Sequence, residues 1–243
     1  MSNIVSAASS SVGKKVITGI TGIALGLFVI VHLAGNMTLF LSDHGHALNE
    51  YAHFLETLGH GALLPIAEIG LVVLILAHFA STVAVTLRNK SARPVGYYAS
   101  ADAGHTSHKT PSSRTMIYTG LILAAFLVLH VVQFRVANLS NTIYMSPGVR
   151  NLYFIVYETF QNPVYVWLYV GVMAMLGLHL RHGLWSAWQS LGLTNKRLLP
   201  VFYAVAVLLA IVLAIGFLSL PLYMHFNGSP PAVGGALIEG GHQ

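Results

Sequence analysis

The chain has 243 residues, of which 55% are hydrophobic and 8% charged, with a mean hydropathy of +0.70 and a formal charge of +5. A soluble domain carries about 25% charged residues to wet its surface, so a soluble globular fold is excluded and most of the surface must face lipid. The chain has no cysteine, which excludes disulfides, thiolate metal sites and cysteine-bound iron–sulfur clusters.

A bilayer core of about 30 Å is crossed by about 20 apolar residues of helix. Five stretches qualify, so the expected fold class is all-α: an integral membrane protein of five transmembrane helices, one membrane domain over residues 1–243. The first span, Val16–Leu41, follows Lys14 and Lys15 as a signal peptide would. Its apolar run exceeds the usual length of about 7–15 residues, and no small-residue cleavage site closes it, so it reads as a retained span. Gly22 and Gly26 form a GxxxG pattern suited to close helix packing. The loop Ser42–Leu64 has room for one short interfacial helix. The second span is Pro65–Leu87, and Arg88, Lys90, Arg93, Lys109 and Arg114 fill the loop after it. The third span is Thr115–Ala137, and the loop Asn138–Asn162 has room for another short helix. The fourth span is Pro163–Gln189, followed closely by the fifth, Leu198–Pro221, which has no histidine and reads as peripheral. The tail Asn227–Gln243, rich in Gly and Pro, reads as irregular. No internal repeat stands out.

Ten of the twelve basic residues fall on one side: Lys14 and Lys15, the five of the loop after the second span, and Arg181, Lys196 and Arg197 around the fourth turn. Arg135 and Arg150 are left for the other. By the positive-inside rule the N-terminus is cytoplasmic and the C-terminus outside. The cytoplasmic connections are too short to build a catalytic domain with its own core, so no catalytic residue is assigned.

Among 13 histidines, four lie well inside spans: His32, His78, His130 and His179, one on each of the first four. An ionisable group in hydrocarbon is a functional hypothesis by default, and the plain alternative for any one of them is an interhelical hydrogen bond. Counting residues from the span ends puts His32 and His130 at an outer level. His78 and His179 fall at an inner level, roughly 10 Å deeper at about 1.5 Å of rise per residue. Two facing histidines at each of two depths is the requirement of two bis-histidine haems. Zinc would want three or four ligands converging on one point. His182, one turn beyond His179, is the rival inner ligand; depth favours His179. Arg135 is a candidate partner for the propionates of an outer haem, and Arg181, His182 and Arg88 for those of an inner one, with ordinary snorkelling as the alternative.

At these residues the chain resembles the di-haem cytochrome b subunit of succinate dehydrogenase and fumarate reductase, the five-helix b558 type. The resemblance is carried by TGIALGLFVIVHLAGN around His32, LAHFASTVAVTLR around His78, YTGLILAAFLVLHVVQF around His130 and LGLHLRHGLW around His179. It covers Val16 to about Pro221. It implies two haem b groups, the proximal held by His78 and His179 and the distal by His32 and His130. The family's helix-4 ligand has a glycine four residues on, and Gly183 answers to His179, not His182. The resemblance further implies a flavoprotein and an iron–sulfur subunit on the cytoplasmic face, a membrane quinone, usually menaquinone, and residence in the plasma (inner) membrane of a prokaryote. Lipid is the surrounding partner, nucleic acid is not one, and a higher oligomer of the complex is left open. Some fumarate reductase members place a glutamate two residues before the helix-4 ligand. Gly177 stands there in this chain, which favours the succinate-oxidising direction.

A quinone carbonyl needs hydrogen-bond donors and its reduction a proton source. Near the distal level the candidates are His44, His46, Glu50, Glu56 and Glu68; near the proximal level they are Thr18, Thr21 and Lys15. Glu68 is placed in the first turn of the second span, where the macrodipole would steady its charge. Other readings are the cytochrome b anchor of a formate dehydrogenase or hydrogenase, whose partners usually sit outside, a histidine-relay transporter, and a haem-free anchor. The transporter reading expects broken helices and midplane acids, and no Asp or Glu lies deep in a span.

Overall fold

The structure, a computed structural model, describes residues 10–92, 111–233 and 236–237; Arg93 and Lys109 of the basic loop lie outside these. Helix α1 (Ser11–Asn36) ends in a 3-10 turn, Met37–Phe40. Helix α2 (His46–Thr57) occupies the first outer loop, and α3 (Leu63–Ser91) follows. Helix α4 (Pro111–His130) continues through a π-helical turn, Val131–Val136, into the short α5 (Ala137–Ser140). Strands β1 (Tyr144–Ser146) and β2 (Val149–Arg150) pair antiparallel before α6 (Leu152–Gln161). The long helices α7 (Pro163–Ser190) and α8 (Leu199–Asn227) follow, then an antiparallel pair, β3 (Ala232–Val233) and β4 (Ala236–Leu237).

Five of these runs are long and apolar enough to cross a membrane: Val12–Phe40, Leu63–Asn89, Thr115–Ser140, Pro163–Ser190 and Leu199–Asn227. The protein is thus an all-α, multi-pass membrane protein. Each run of 26 to 29 residues is about 40 Å long at 1.5 Å per residue, enough to pass beyond the hydrocarbon core at its ends. Leu27, Ile66, Leu76, Leu208 and Ile215 are each at least 60% exposed. A surface this apolar is satisfied by lipid, where helices survive because they pair their own backbone groups.

Local signals set the helix ends. The Asn151 side chain accepts from the Phe154 backbone N–H (2.9 Å) and starts α6. Asn162 accepts from Val164 N–H (2.9 Å) with Pro163 at the first helical position of α7. Gly192 closes α7 at a φ of 69°, where the left-handed region favours glycine.

Four expectations change. The second span opens at Leu63, so Glu68 lies beyond the first turn and outside the reach of the helix N-terminus. The fifth helix does not stop at Pro221 but runs on to Asn227 and so carries His225. A proline forfeits one backbone bond, yet Pro221 is fully buried and packs as a core residue. Nor is this helix peripheral: Ala206, Ala210, Leu213, Leu220 and Met224 form a buried stripe at helical spacing. The tail, expected to be irregular, contains the β3–β4 pair.

The chain packs as two compact units. The first takes the described residues of Met1–Phe28, Ile69–Gly120 and Leu178–Ile211; the second takes those of Val29–Glu68, Leu121–Gly177 and Val212–Gln243. Each spanning helix gives one stretch to each unit. In the second unit the fully buried Asn49 and Asn151 join α2 to α6 through a hydrogen bond of 2.9 Å donated by Asn49 Nδ2 to Asn151 Oδ1. Asn151 Nδ2 also donates to the Ala232 carbonyl (2.6 Å), and Tyr153 Oη donates to the Ser229 carbonyl (2.8 Å), tying down the tail. Burial pushes the Tyr153 hydroxyl up to about 12. Gly45, at a φ of 88°, lies directly against the Tyr153 ring and leaves no room for a Cβ.

Candidate functional site

The four span histidines divide two by two: His78 and His179 belong to the first unit, His32 and His130 to the second. In the second unit the His32 and His130 rings lie 5.8 Å apart, centroid to centroid, with their planes at 88°. Two imidazoles bound to one metal from opposite sides, with bonds of about 2 Å, have centroids roughly 6 Å apart, so this pair is spaced to share one metal. Its surroundings are aromatic. Phe126 and Phe134 lie 5.6 and 5.2 Å from the His130 ring, and Phe217 of α8 lies 5.8 Å from His32. Tyr169 of α7 donates to Gln133 Oε1 (2.7 Å), and its hydroxyl oxygen also faces His130 Nδ1 at 3.5 Å.

The π-helical turn begins at the residue after His130. Its wider i→i+5 winding is rare and often found at functional sites. It carries Gln133, Phe134 and Arg135.

In the first unit both imidazoles are held the same way. His78 Nδ1 faces Thr21 Oγ1 at 3.1 Å, and His179 Nδ1 faces Thr119 Oγ1 at 3.1 Å. Both threonines are buried. The neighbouring residue is a glycine each time. A Cβ on Gly22 would stand 3.3 Å from His78 Cε1, and one on Gly120 would stand 3.4 Å from His179 Cε1. These rings therefore rest against bare helix backbone. His78 and His179 lie within electrostatic range of one another, with His182 a turn beyond. Of the GxxxG pair, Gly22 makes room for His78 and Gly26 for Leu184 of α7.

Arg135 lies among carboxylates. Its Nε stands 2.6 Å from Glu68 Oε1, Nη2 donates to Glu68 Oε2 (3.3 Å), and Nη1 donates to Glu56 Oε1 (3.3 Å). Asn138 Nδ2 donates to the same Glu56 oxygen, and Arg150 approaches it at 3.9 Å. Arg135 could turn to a propionate only by leaving these partners. Arg181 Nη2 donates to Tyr203 Oη (2.8 Å), while Arg88 is exposed at the end of α3. His44 Nδ1 lies 2.9 Å from the Pro230 carbonyl, and His46 and Glu50 are exposed on α2. The Thr18 hydroxyl donates to the Lys14 carbonyl (2.9 Å) and lies 2.8 Å from Ser81 Oγ. Among the described residues no three His, Asp or Glu side chains converge on one point.

Sequence reasoning passed over Thr119, Gly120, Tyr169, Gln133 and Phe217. One signal was available, and it corrects the reading that the chain holds no repeat. Thr21-Gly22, Leu25, Phe28 and His32 on α1 recur in order and spacing as Thr119-Gly120, Leu123, Phe126 and His130 on α4. Comparison with protein-family models, curated proteins and solved structures finds no match to this chain.

Proposed function

We propose that the chain is the membrane-anchor cytochrome b subunit of a succinate:quinone oxidoreductase. In this reading it carries electrons between a cytoplasmic iron–sulfur subunit, itself served by a flavoprotein, and a membrane quinone, menaquinone by the resemblance. Haem b supplies a one-electron iron couple when bound. His78 and His179 would hold one such group and His32 and His130 the other. Held by two imidazoles each, these groups would pass electrons and would not bind substrate. The observation that carries the reading is the two-by-two pairing of the span histidines, above all the 5.8 Å between His32 and His130. That separation fits a shared metal, and the aromatic rings around it fit the apolar edge of a macrocycle. The Thr119 hydroxyl and Gly120 attend His179, which supports His179 over His182 as the inner ligand.

The distribution of basic residues supports a cytoplasmic N-terminus in the plasma membrane of a prokaryote, with the soluble partners docking on the Arg88–Arg114 face. The test is a visible spectrum and a haem count on the purified chain. Two b-type haems are expected; His78→Ala or His179→Ala should remove one, and His32→Ala or His130→Ala the other. A count of zero or one rejects the reading. Loss of the inner haem from His182→Ala, with His179→Ala silent, reassigns the ligand. Co-purified subunits distinguish this complex from a formate dehydrogenase or hydrogenase anchor.

A further inference from the structure

We infer that the two Thr-Gly pairs, Thr21-Gly22 on α1 and Thr119-Gly120 on α4, are imidazole cradles that fix the tautomer of His78 and His179. The inference rests on the haem reading and deepens it, by naming residues that act on the ligands without touching the metal.

The hydrogen count decides the tautomer. Thr21 Oγ1 lies 2.7 Å from the Ile17 carbonyl oxygen. Two oxygens that close need a hydrogen between them, and a carbonyl has none, so the hydroxyl hydrogen points at Ile17. This is the usual back-bond of a helical threonine. Only lone pairs remain on Oγ1 for the neighbour at 3.1 Å, His78 Nδ1. That nitrogen must therefore be the donor. A neutral imidazole with hydrogen on Nδ1 has a bare Nε2, the form that can ligate a metal. Thr119 repeats the arrangement with looser contacts: its hydroxyl donates back to the carbonyls of Thr115 and Met116, both at 3.1 Å, and its oxygen lies 3.1 Å from His179 Nδ1, to which we assign the same donor role. With its one hydrogen already committed, Thr21 has none to give a quinone carbonyl. Its role passes to the imidazole.

The glycines supply the room. At 3.3 and 3.6 Å from His78 Cε1 and Nδ1, a methyl on Gly22 would press on the ring and require it to give by a few tenths of an ångström beside the hydroxyl. At Gly120 the distances to His179 Cε1 and Nδ1 are 3.4 and 3.9 Å, ordinary van der Waals contact, so there the bare backbone sets the ring beside the hydroxyl without a clash to avoid. Two separated segments of sequence thus build one device twice, which a chance hydrogen bond would not do. Tyr169 offers His130 a longer version, its hydrogen given to Gln133 and its oxygen 3.5 Å from Nδ1.

An acceptor on Nδ1 makes an imidazole more basic, which holds the ligand and favours the oxidised metal; losing such a partner typically lowers metal affinity about 10–100-fold. The test uses the full chain in its membrane, with Thr21→Val and Thr119→Val, which keep side-chain shape, and Thr21→Ser and Thr119→Ser, which keep the oxygen. Each Val variant should raise the midpoint potential of one haem and weaken its retention by about that factor, while each Ser variant restores both. Where a Val variant does not accumulate, the corresponding Ala variant takes its place. Parental potentials and haem retention in the Val or Ala variants overturn the inference and leave the two-haem reading standing. Failure of Ser to restore them overturns it too. A parent chain without haem overturns both together.

Discussion

Replacing Arg135 by Gln removes the cation that joins Glu56 and Glu68. The side chains of Arg135, Glu56 and Glu68 are 30%, 24% and 40% exposed, so the cluster is neither a free surface pair nor a dry one. The gross attraction of one such pair is about 4 kcal/mol at 4 Å with an effective dielectric of 20, but desolvation offsets most of it. Exposed pairs are worth about 0.2–1 kcal/mol, whereas stripping one partner from a buried pair costs about 3–5 kcal/mol. At one-quarter to two-fifths exposure the expected loss for Arg135→Gln is about 2 kcal/mol, because Glu68 loses both contacts to Arg135 while Glu56 keeps Arg150 and Asn138. Glu68→Gln should cost less, about 1 kcal/mol, since Arg135 retains Glu56. The double variant should then lie within a few tenths of Arg135→Gln, giving a coupling of about 1 kcal/mol. The assay is reversible unfolding in mixed micelles, followed by the fluorescence of the three tryptophans. Salt should shrink the coupling, because the cluster is partly wet. Strictly additive single effects would refute the claim that Arg135 is committed to these carboxylates.

A Cβ added at Gly171 would meet nothing within 4 Å, so Gly171→Ala should raise stability by about 0.5–1 kcal/mol through backbone entropy alone. Gly22→Ala has the same backbone gain but meets the His78 ring, so it should be neutral or destabilising; equal gains in melting temperature would refute that contact. Tyr153→Phe should cost about 1 kcal/mol at neutral pH by removing the bond to Ser229. Because the folded-state value is raised to about 12, the parent holds its full stability below the ordinary tyrosine value near 10 and loses it as pH climbs toward 12. The gap to Tyr153→Phe should therefore narrow across that range in a pH series of melting curves, and a constant gap would count against the raised value.

The spans were legible because an apolar run of the required length has few other uses, and the ends set by Asn162-Pro163 and Gly192 carry ordinary capping residues. That His32 and His130 fall together in one unit and His78 and His179 in the other was legible from depth, which needs only residue counting along stiff helices. The π-helical turn was not. VVQFRV contains no glycine or proline, and the shift in hydrogen bonding leaves no mark in a pattern of apolar residues. The Arg135 cluster was missed for another reason: Glu56, Glu68 and Arg135 come from three elements whose meeting is decided by tertiary packing. Proline at 221 read as a stop because its lost hydrogen bond is a local cost, whereas its burial is a global gain. The repeat on α1 and α4 hid among Leu, Val and Ile, which match one another by chance in any two membrane spans. Thr and Gly acquire meaning only when an imidazole is seen resting on them.

That repeat has a consequence for how one helix can serve two sites. Thr21 and His32 are eleven residues apart, as are Thr119 and His130. At 3.6 residues per turn, eleven residues are close to three full turns, so the threonine and the histidine project from nearly the same face of their helix. One face of α1 thus accepts the Nδ1 hydrogen of His78 in the first unit and presents its own histidine in the second. One face of α4 does the same for His179 and with His130. Neither helix supplies both imidazoles of any pair. Each unit draws one of its two span histidines from each half of the chain, so neither half, α1 with α3 or α4 with α7, holds both histidines of a unit. The remaining faces of these helices are free to be apolar and lipid-facing, in keeping with a chain of 8% charge.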